Sequence, residues 1–279
     1  MTRVLTCREH KLELGARTII MGILNVTPDS FSDGGEYLAP DKAVVRARQM
    51  VLEGADIIDI GGESTRPGYL KVSVEEELQR VIPVIEALKR ELNVPLSIDT
   101  YKSEVARQAL EAGAHLVNDV WGGKEDPDLL RVAADYDCPV ILMHNRKDMN
   151  YGDFLQDVLH DLQASVDLAM QAGLLRDQII LDPGIGFAKT LEHNLWLMNH
   201  LDALNGLGYP VLLGTSRKSM IRNILGLPPD DVVEGTAATV ALGIAQGCDI
   251  MRVHDILQMK RVAVMTDAIV RGAQRSWIK

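Results

Sequence analysis

Short apolar runs alternate with amphipathic stretches of helical length along almost the whole chain, and this rhythm limits the possible folds more than any other feature. Each run is rich in Ile, Val and Leu, as is typical of a strand that is buried on both faces of a parallel sheet. The eight runs are residues 18–26, 56–60, 96–99, 115–120, 140–144, 179–182, 211–214 and 250–253. The sequence therefore predicts eight parallel strands.

Apolar residues recur at spacings of three and four between these runs, which predicts amphipathic helices over 41–52, 74–92, 103–112 and 154–172. Gly54, Gly113 and Gly173 each follow one of these stretches, where a left-handed cap is favoured. An open doubly wound sheet is the alternative, but eight consecutive strand–helix units without a linker fit a closed barrel better. We predict an α/β fold: a single (β/α)8 TIM barrel domain over residues 1–279, with a short N-terminal hairpin before Thr18 at its bottom.

Length and charge narrow the class of protein. The 279 residues suit one α/β barrel as well as two domains of about 150 residues each. The formal net charge of −10 argues against nucleic acid as a partner. No apolar run approaches the ~20 residues that cross a bilayer, and the N-terminus has no signal-peptide pattern. Three widely spaced cysteines indicate neither a disulfide framework nor a zinc site. We expect a cytoplasmic enzyme without a membrane partner.

Every predicted strand ends in polar side chains. A single Asp or Asn at such a place could equally cap the following helix. Eight polar endings at the carboxyl rim of a barrel, where barrel enzymes carry their sites, favour a functional site. The endings are Asn25, Asp59 with Glu63, Asp99, Asn118 with Asp119, His144, Asp182, Ser216 to Lys218, and Arg252 with His254.

Hydrogen-bond acceptors and cations share this predicted rim. Asp99, Asn118 and Asp182 are acceptors, whereas Lys218, Arg252 and His254 are donors. Arg252 and His254 are two residues apart, so both should point to the same face. Asn25, on the first strand, lies beside the eighth strand in a closed barrel, and such a group suits phosphate oxygens. The alternative for Arg252 and His254 is an ion pair with Asp255 or Asp249.

Two of the three Phe residues, Phe31 and Phe187, lie in polar, Gly-rich segments and not in core runs. A loop Phe beside carboxylates either stacks on a flat ligand or anchors its loop to a helix, and the residues alone leave both open. Taken together, the residues indicate a barrel that binds a flat, hydrogen-bonding molecule carrying phosphate.

Several motifs extend this interpretation. The segment ILNVTPDSFSDGG at 23–35 resembles the first signature of the dihydropteroate synthases, and GADIIDIGGESTRPG at 54–68 resembles the second. Further matches lie at 97–100, 117–119, 142–144, 181–187, 216–219 and 252–255, in the family's order and one per predicted strand. The resemblance covers the chain from Thr18 onward.

The resemblance implies an enzyme that condenses a dihydropterin-methyl diphosphate with 4-aminobenzoate, using Mg²⁺, and that usually forms a homodimer. Two other functions remain as alternatives: a methyltetrahydrofolate-binding methyltransferase domain and a non-catalytic pterin-binding paralogue. The first has no need of Phe31, Lys218 or the Arg252 and His254 pair, and an intact set of site residues argues against the second.

The resemblance also implies roles for individual residues. Pterin contacts are expected from Asp99, Asn118, Val120, Met143, Asp182, Phe187, Gly214, Lys218 and Arg252. Diphosphate contacts are expected from Asn25, Arg252 and His254, and Mg²⁺ contacts from Asn25 and Asp33. The 4-aminobenzoate contacts are expected from Phe31, Thr65, Pro67, Phe187, Lys218 and Ser219. Catalysis is assigned to Asp99, Lys218, Asn25, Arg252 and His254.

Overall fold

Eight parallel strands form the centre of the structure, a computed structural model that describes residues 3–27, 39–63 and 71–272. They are β3 (Ile19–Asn25), β4 (Ile57–Gly61), β5 (Leu96–Asp99), β6 (Leu116–Asp119), β7 (Val140–Met143), β8 (Ile179–Asp182), β9 (Leu212–Leu213) and β10 (Ile250–Val253). Each strand agrees with its predicted run to within one residue at either end, so the predicted strands are confirmed.

The strands close into a barrel. Hydrogen bonds join neighbours in the order β8-β7-β6-β5-β4-β3-β10-β9, and a parallel bridge between Leu181 and Val211 brings β8 beside β9. The two ends of this order therefore meet. The first and last barrel strands in the sequence, β3 and β10, are also paired, in parallel. The predicted (β/α)8 barrel is confirmed, and the open-sheet alternative is wrong.

Helices surround the barrel and follow its strands. They are α1 (Ala39–Glu53), α2 (Val74–Glu91), α3 (Ser103–Ala112), α4 (Asp128–Asp135), α5 (Phe154–Gln171), α6 (Leu191–Met198), α7 (Ser219–Leu225), α8 (Val233–Ala245) and α9 (Ile256–Val270). The four helices predicted from periodicity agree to within two residues, but β9 is followed by two helices where the repeating unit predicts one. Among the described residues, no helix is long and apolar enough to span a bilayer.

The N-terminal hairpin closes one end of the barrel. It consists of β1 (Arg3–Cys7) and β2 (His10–Leu14), paired antiparallel. Leu5 and Leu14 are buried in one cluster with the first inward-facing residues of the barrel strands, such as Ile180 and Ile250. The predicted hairpin is therefore confirmed at the amino-terminal end of the barrel, which leaves the carboxyl end for the site.

Candidate active site

Every second side chain of a strand points into the barrel, and these inward-pointing side chains change from apolar at the bottom to mostly polar at the carboxyl end. Ile180 and Ile250 are packed in the apolar bottom layer. Side chains two residues apart on a strand point the same way, so Asp182 and Arg252 occupy the next layer towards the carboxyl end. The same step leads from the bottom layer to Asp59, Asn118, Met143 and Gly214 on their strands. The polar rim predicted from the sequence therefore follows from strand geometry.

A cavity of about 670 Å³ opens at this end of the barrel. Twelve of the predicted site residues line it: Asn25, Asp99, Asn118, Val120, Met143, Asp182, Phe187, Gly214, Lys218, Ser219, Arg252 and His254. Phe31, Asp33, Thr65 and Pro67 lie outside the described residues. The structure thus brings together the described part of the predicted site, while the role of each residue remains a prediction.

Arg252 crosses the floor of the cavity between two carboxylates. Its Nε donates to Asp59 Oδ2 and its Nη2 donates to Asp99 Oδ2, both at 2.6 Å. The alternative pairing of Arg252 with Asp249 or Asp255 is wrong. Position 252 points into the barrel, whereas Asp249 precedes β10 at the opposite end and accepts from the Val211 N–H at 3.1 Å.

Asp255 instead pairs with Arg217, at 2.6 Å between Oδ1 and Nη2. This residue is the N-cap of α9, on the outside of the barrel, so its carboxylate holds the loop after β9 and not the guanidinium inside. Both corrections have the same origin: Asp249 and Asp255 flank β10 at its two ends, whereas Arg252 points into the barrel from within the strand.

Asp59 is a functional candidate that the sequence placed at the rim without giving it a role. It is fully buried, and Asn118 Nδ2 donates to its Oδ2 at 3.1 Å, the same oxygen that Arg252 contacts. Asp59 therefore orients two residues of the predicted site: Asn118, which is expected to contact the pterin, and Arg252, which is expected to contact the pterin and the diphosphate. Its signal in the sequence was a carboxylate inside an apolar strand, which is costly unless the charge is paired.

The electrostatics of this network are tightly coupled. Burial, with a contribution from the neighbouring Asp59 carboxylate, raises the pKa of Asp99 to about 7 although Arg252 acts in the opposite direction. Burial lowers the pKa of Arg252, but the Asp59 and Asp99 carboxylates outweigh burial and raise it above its usual range. Within the described structure, Oδ1 of Asp59 and Oδ1 of Asp99 are buried and accept no hydrogen bond. Of these two residues Asp99 lines the cavity, so its Oδ1 is the acceptor available to a ligand.

The end of β8 positions a second carboxylate. Asp182 Oδ1 accepts from the Gly184 N–H at 2.7 Å, and burial raises the pKa of Asp182. Gly184 has φ +67°, and a Cβ there would come within 2.0 Å of the carbonyl oxygen of His144. Only glycine fits this turn, because any side chain would push it away from β7. The turn thereby fixes one carboxylate oxygen of Asp182.

Apolar and cationic groups form the other walls. Tyr101, Val120 and Met143 form a small buried cluster against which Phe187 packs. The Lys218 Nζ lies 4.1 Å from the centre of the Phe187 ring, a cation–π distance. A flat ligand with polar edges matches this combination of apolar faces and carboxylates.

His254 is oriented by Ser216. The Ser216 hydroxyl accepts from the His254 backbone N–H at 3.2 Å and lies 2.9 Å from the ring Nδ1. A hydroxyl can both donate and accept, so this contact fixes the position of the ring and is compatible with either tautomer. His254 lines the cavity, where a ring protonated at Nε2 can donate an N–H to an anion.

The donor chemistry at Asn25 fits the predicted Mg²⁺. Its amide oxygen lies at the cavity wall near Asp99, since a Cβ added at Gly61 would meet both side chains within 4 Å. Magnesium prefers oxygen ligands and commonly takes one or two from the protein and the rest from water and phosphate. Asp33, the second predicted ligand, lies outside the described residues.

Comparison with known proteins places this geometry in a class. Residues 21–254 match the family described as pterin binding enzyme. The dihydropteroate synthase of Bacillus subtilis is 56% identical over 96% of this chain and 94% of its own. A solved structure of the Clostridium difficile dihydropteroate synthase in the presence of pteroic acid has a TM-score of 0.92 at 51% identity, covering 93% of this chain and 99% of that one.

The Xanthomonas albilineans dihydropteroate synthase, solved with 4-aminobenzoic acid, has a TM-score of 0.93 at 41% identity and covers 98% of this chain and 100% of that one. The barrel, its polar cavity and the family match together define a pterin-binding enzyme. Identities of this size over nearly the whole length narrow the class further. The chain belongs to the dihydropteroate synthase family.

Proposed function

We propose that the chain is the transferase that condenses (7,8-dihydropterin-6-yl)methyl diphosphate with 4-aminobenzoate, giving 7,8-dihydropteroate and diphosphate in folate biosynthesis. The observation that carries the proposal is the arrangement of one cavity: buried Asp182 and Asn118 share it with Lys218, Arg252 and His254. Carboxylate and amide groups suit a pterin, and the cationic and N–H groups suit a diphosphate.

Pterin recognition uses the polar layer of the barrel. The amino-pyrimidine edge of a pterin offers two N–H donors, and Asp182 accepts them while Asn118 completes the polar contact. Val120, Met143 and Phe187 contact the ring faces. A pterin edge buried here without these acceptors would lose hydrogen bonds that it makes in water, so binding depends on their placement.

The chemistry requires no covalent nucleophile. The bond between the methylene carbon and the diphosphate oxygen breaks, and its electron pair leaves with the diphosphate. Asp99 stabilises the positive charge left on the methylene and pterin, while Arg252 and His254 stabilise the departing anion. The aniline nitrogen of 4-aminobenzoate then attacks the methylene and releases a proton, so positioning carries much of the rate.

Asn25 would hold Mg²⁺, together with Asp33 as a further ligand. When bound, the ion supplies positive charge that neutralises diphosphate oxygens. Lys218, beside Phe187, contacts the pterin, while Ser219 and the residues Phe31, Thr65 and Pro67 contact the aminobenzoate in this proposal.

A homodimer in the cytoplasm is the proposed state of the protein. Val264, Met265 and Ile269 on α9 are exposed apolar side chains, and a second copy of this chain would cover them. All three cysteines are buried and unpaired, which fits a reducing compartment.

Sedimentation tests the dimer: Ile269→Asp should yield monomers, whereas Leu52→Asp on α1 should not. A monomeric wild-type protein would contradict it.

A turnover assay tests the function. The purified protein should release diphosphate only when both the pterin diphosphate and 4-aminobenzoate are present, with dihydropteroate as the second product. A methyltransferase domain would instead bind methyltetrahydrofolate and pass its methyl group to a corrinoid. A non-catalytic paralogue would bind a pterin without turnover. Pterin binding without dihydropteroate formation would therefore overturn the proposal.

A further inference from the structure

Three titratable side chains, two of them buried, are hydrogen-bonded in a row behind the cavity wall formed by residues 184–187. Lys189 Nζ is 2.7 Å from His144 Nδ1, and His144 Nε2 is 3.1 Å from Asp161 Oδ2. His144 and Lys189 are buried, and none of the three side chains lines the cavity. The proposed chemistry does not use these three side chains, although burying such groups is costly unless they are paired.

The partners fix the protonation of His144. An ionised carboxylate can only accept, so His144 Nε2 carries the proton that goes to Asp161. In the neutral ring Nδ1 then accepts from the Lys189 amino group, whose pKa burial lowers to about 7. Burial lowers the pKa of His144 to about 4, which keeps the ring neutral. Arg146 Nε donates to the same Asp161 oxygen at 2.5 Å. The imidazole is thus held from both sides in one orientation.

Lys189 connects this ring to the turn that follows β8. Its Nζ donates to the carbonyl oxygens of Gly184 at 3.0 Å and Phe187 at 3.1 Å. The Phe187 N–H donates to the same Gly184 oxygen at 3.1 Å, so the two carbonyls belong to one β-turn. With His144 Nδ1 the amino group has three acceptors, which match the three N–H groups of an ammonium.

This turn carries two groups of the pterin pocket. The Gly184 N–H holds Asp182 Oδ1, and the Phe187 ring lies against Lys218. A shift of the turn would therefore change the direction of the Asp182 carboxylate and the position of one apolar wall together. We propose that Lys189 is a positioning residue, tethered by His144, which fixes residues 184–187 in the geometry that binds the pterin. The proposal rests on the function proposed above.

Two further contacts hold the outer part of the same segment. The Tyr151 hydroxyl donates to the Ala188 carbonyl at 2.8 Å, and the Gly186 N–H donates to Asn194 Oδ1 at 2.7 Å. Neither contact involves Lys189. Loss of the lysine should accordingly leave the segment folded but release its two inner carbonyls, so the effect should appear in pterin binding more than in folding.

The decisive experiment measures two dissociation constants by calorimetry, for 6-hydroxymethylpterin and for inorganic pyrophosphate with Mg²⁺. Lys189→Met keeps the length of the side chain but removes its donors, and we expect pterin binding to weaken about tenfold or more. Pyrophosphate binding should stay within about twofold, because Arg252 and His254 belong to the β10 end.

Lys124→Met is the matched control. Lys124 is also part-buried and donates to the Asn145 carbonyl at 2.8 Å, close to the same cluster, but it makes no hydrogen bond to residues 184–187. The Lys124→Met substitution removes an amino group from this region without releasing the turn. The affinity for 6-hydroxymethylpterin should therefore stay within about twofold of wild type.

A pair of His144 variants tests the tether independently, including the case in which Lys189→Met fails to fold. Asn places an amide oxygen near the position of Nδ1, so His144→Asn keeps an acceptor for Lys189, whereas His144→Leu keeps none. We expect His144→Leu to weaken pterin binding about as much as Lys189→Met, and His144→Asn to restore most of the affinity. A purely structural role for the ring would affect both variants alike.

Three results would overturn the proposal: unchanged pterin affinity in folded Lys189→Met, equal loss of pterin and pyrophosphate affinity, or equal loss in the two His144 variants. In each case a wild-type protein that binds the pterin and forms dihydropteroate leaves the proposed function intact. A wild-type protein that binds no pterin overturns both.

Discussion

At the scale of single residues, pterin binding is expected to depend most on the Asp182 carboxylate. One of its oxygens is held by the Gly184 N–H, and both oxygens belong to the polar layer at the carboxyl end of the barrel. We predict that Asp182→Ala weakens binding of a pterin analogue by about 1–3 kcal/mol or more, because the ligand's donors stay unpaired. Calorimetry measures the loss.

Asp177→Ala is the control for this change. Asp177 is an exposed carboxylate in the 3-10 turn just before β8, so its removal should leave the affinity for the analogue unchanged. An Asp182→Ala protein that keeps wild-type affinity would show that the pterin edge is recognised elsewhere.

The pH dependence of the reaction should report on Asp99. Burial raises the pKa of this carboxyl to about 7, and only its ionised form can stabilise a cation. As pH falls through neutrality Asp99 gains a proton, so kcat/KM should fall with it. Asp59→Asn removes a neighbouring negative charge and should move this acidic limb to lower pH.

Comparing the pH profiles of the wild type and Asp59→Asn identifies the group whose protonation causes the acidic limb. A wild-type limb near pH 4, where an ordinary carboxylate titrates, would contradict the prediction. A limb that stays in place in Asp59→Asn would assign the titration to another carboxylate, such as Asp182, whose pKa burial also raises.

Sequence alone located the residues of the site better than their partners. Strand periodicity determines which side chains point inward and at which end, and Asp182, Asn118 and Arg252 follow from that rule. The pairing of Arg252 with Asp59, 193 residues away, depends on closure of the barrel, which brings β10 next to β3 and near β4. The periodicity of a strand does not show which residues come into contact when they are so far apart in the sequence.

At the scale of elements, one buried carboxylate joins the last helix to the first barrel strand. Asp267 on α9 accepts from the Thr18 N–H at 2.7 Å and from the Thr18 hydroxyl at 2.8 Å. Arg271 Nε lies 3.0 Å from the same carboxylate. These contacts tie the two ends of the repeating structure together beside the junction of β3 and β10.

We predict that Asp267→Ala lowers the free energy of unfolding by about 2–4 kcal/mol, because two buried donors of Thr18 lose their acceptor. Urea unfolding measures the change. Asp167 lies on the exposed side of α5 and, within the described part of the chain, accepts a side-chain hydrogen bond from Gln163 alone, so Asp167→Ala should change stability by less than about 0.5 kcal/mol. Equal effects of the two substitutions would show that the Thr18 contacts contribute little.

The elements that were predicted most closely have the clearest periodicity. Helix α3 begins and ends at the predicted residues, with Val105, Ala106, Ala109 and Leu110 buried at helical spacing. Helix α8 received no bounds from periodicity, because small and apolar residues along it, such as Gly235, Ala237 and Ala241, obscure the contrast between its faces. An apolar stripe predicts a helix only where the opposite face is polar.

At the scale of the whole molecule, the two ends of the barrel are unlike. The hairpin closes the amino-terminal end, while the cavity opens at the other, where the described stems of two rim segments lie. Thr27 and Glu63 both line the cavity. Glu63 is held there by Lys102 Nζ at 2.6 Å and the Tyr101 hydroxyl at 3.2 Å. Phe31, Asp33, Thr65 and Pro67 follow these stems in the sequence, outside the described residues.

The composition of these two segments predicts an order of binding. They are built from Pro, Gly, Ser and Asp around few apolar residues, so the sequence offers little apolar burial to form a slot from Phe31 and Pro67 without a ligand. Mg²⁺ and diphosphate, held at Asn25 and Asp33, would supply the missing interactions. The slot for the aminobenzoate ring would then form only after the anion has bound.

We therefore predict that 4-aminobenzoate binds weakly to the protein alone and about tenfold or more tightly in the presence of pyrophosphate, Mg²⁺ and a pterin. Equilibrium binding of labelled 4-aminobenzoate measures both affinities. Coupling between two sites is reciprocal, so with Mg²⁺ and the pterin present throughout, 4-aminobenzoate must tighten pyrophosphate binding by the factor that pyrophosphate gives it. Equal 4-aminobenzoate affinity in the two conditions would mean that the slot exists before the anion arrives, and the ordered mechanism would then be wrong.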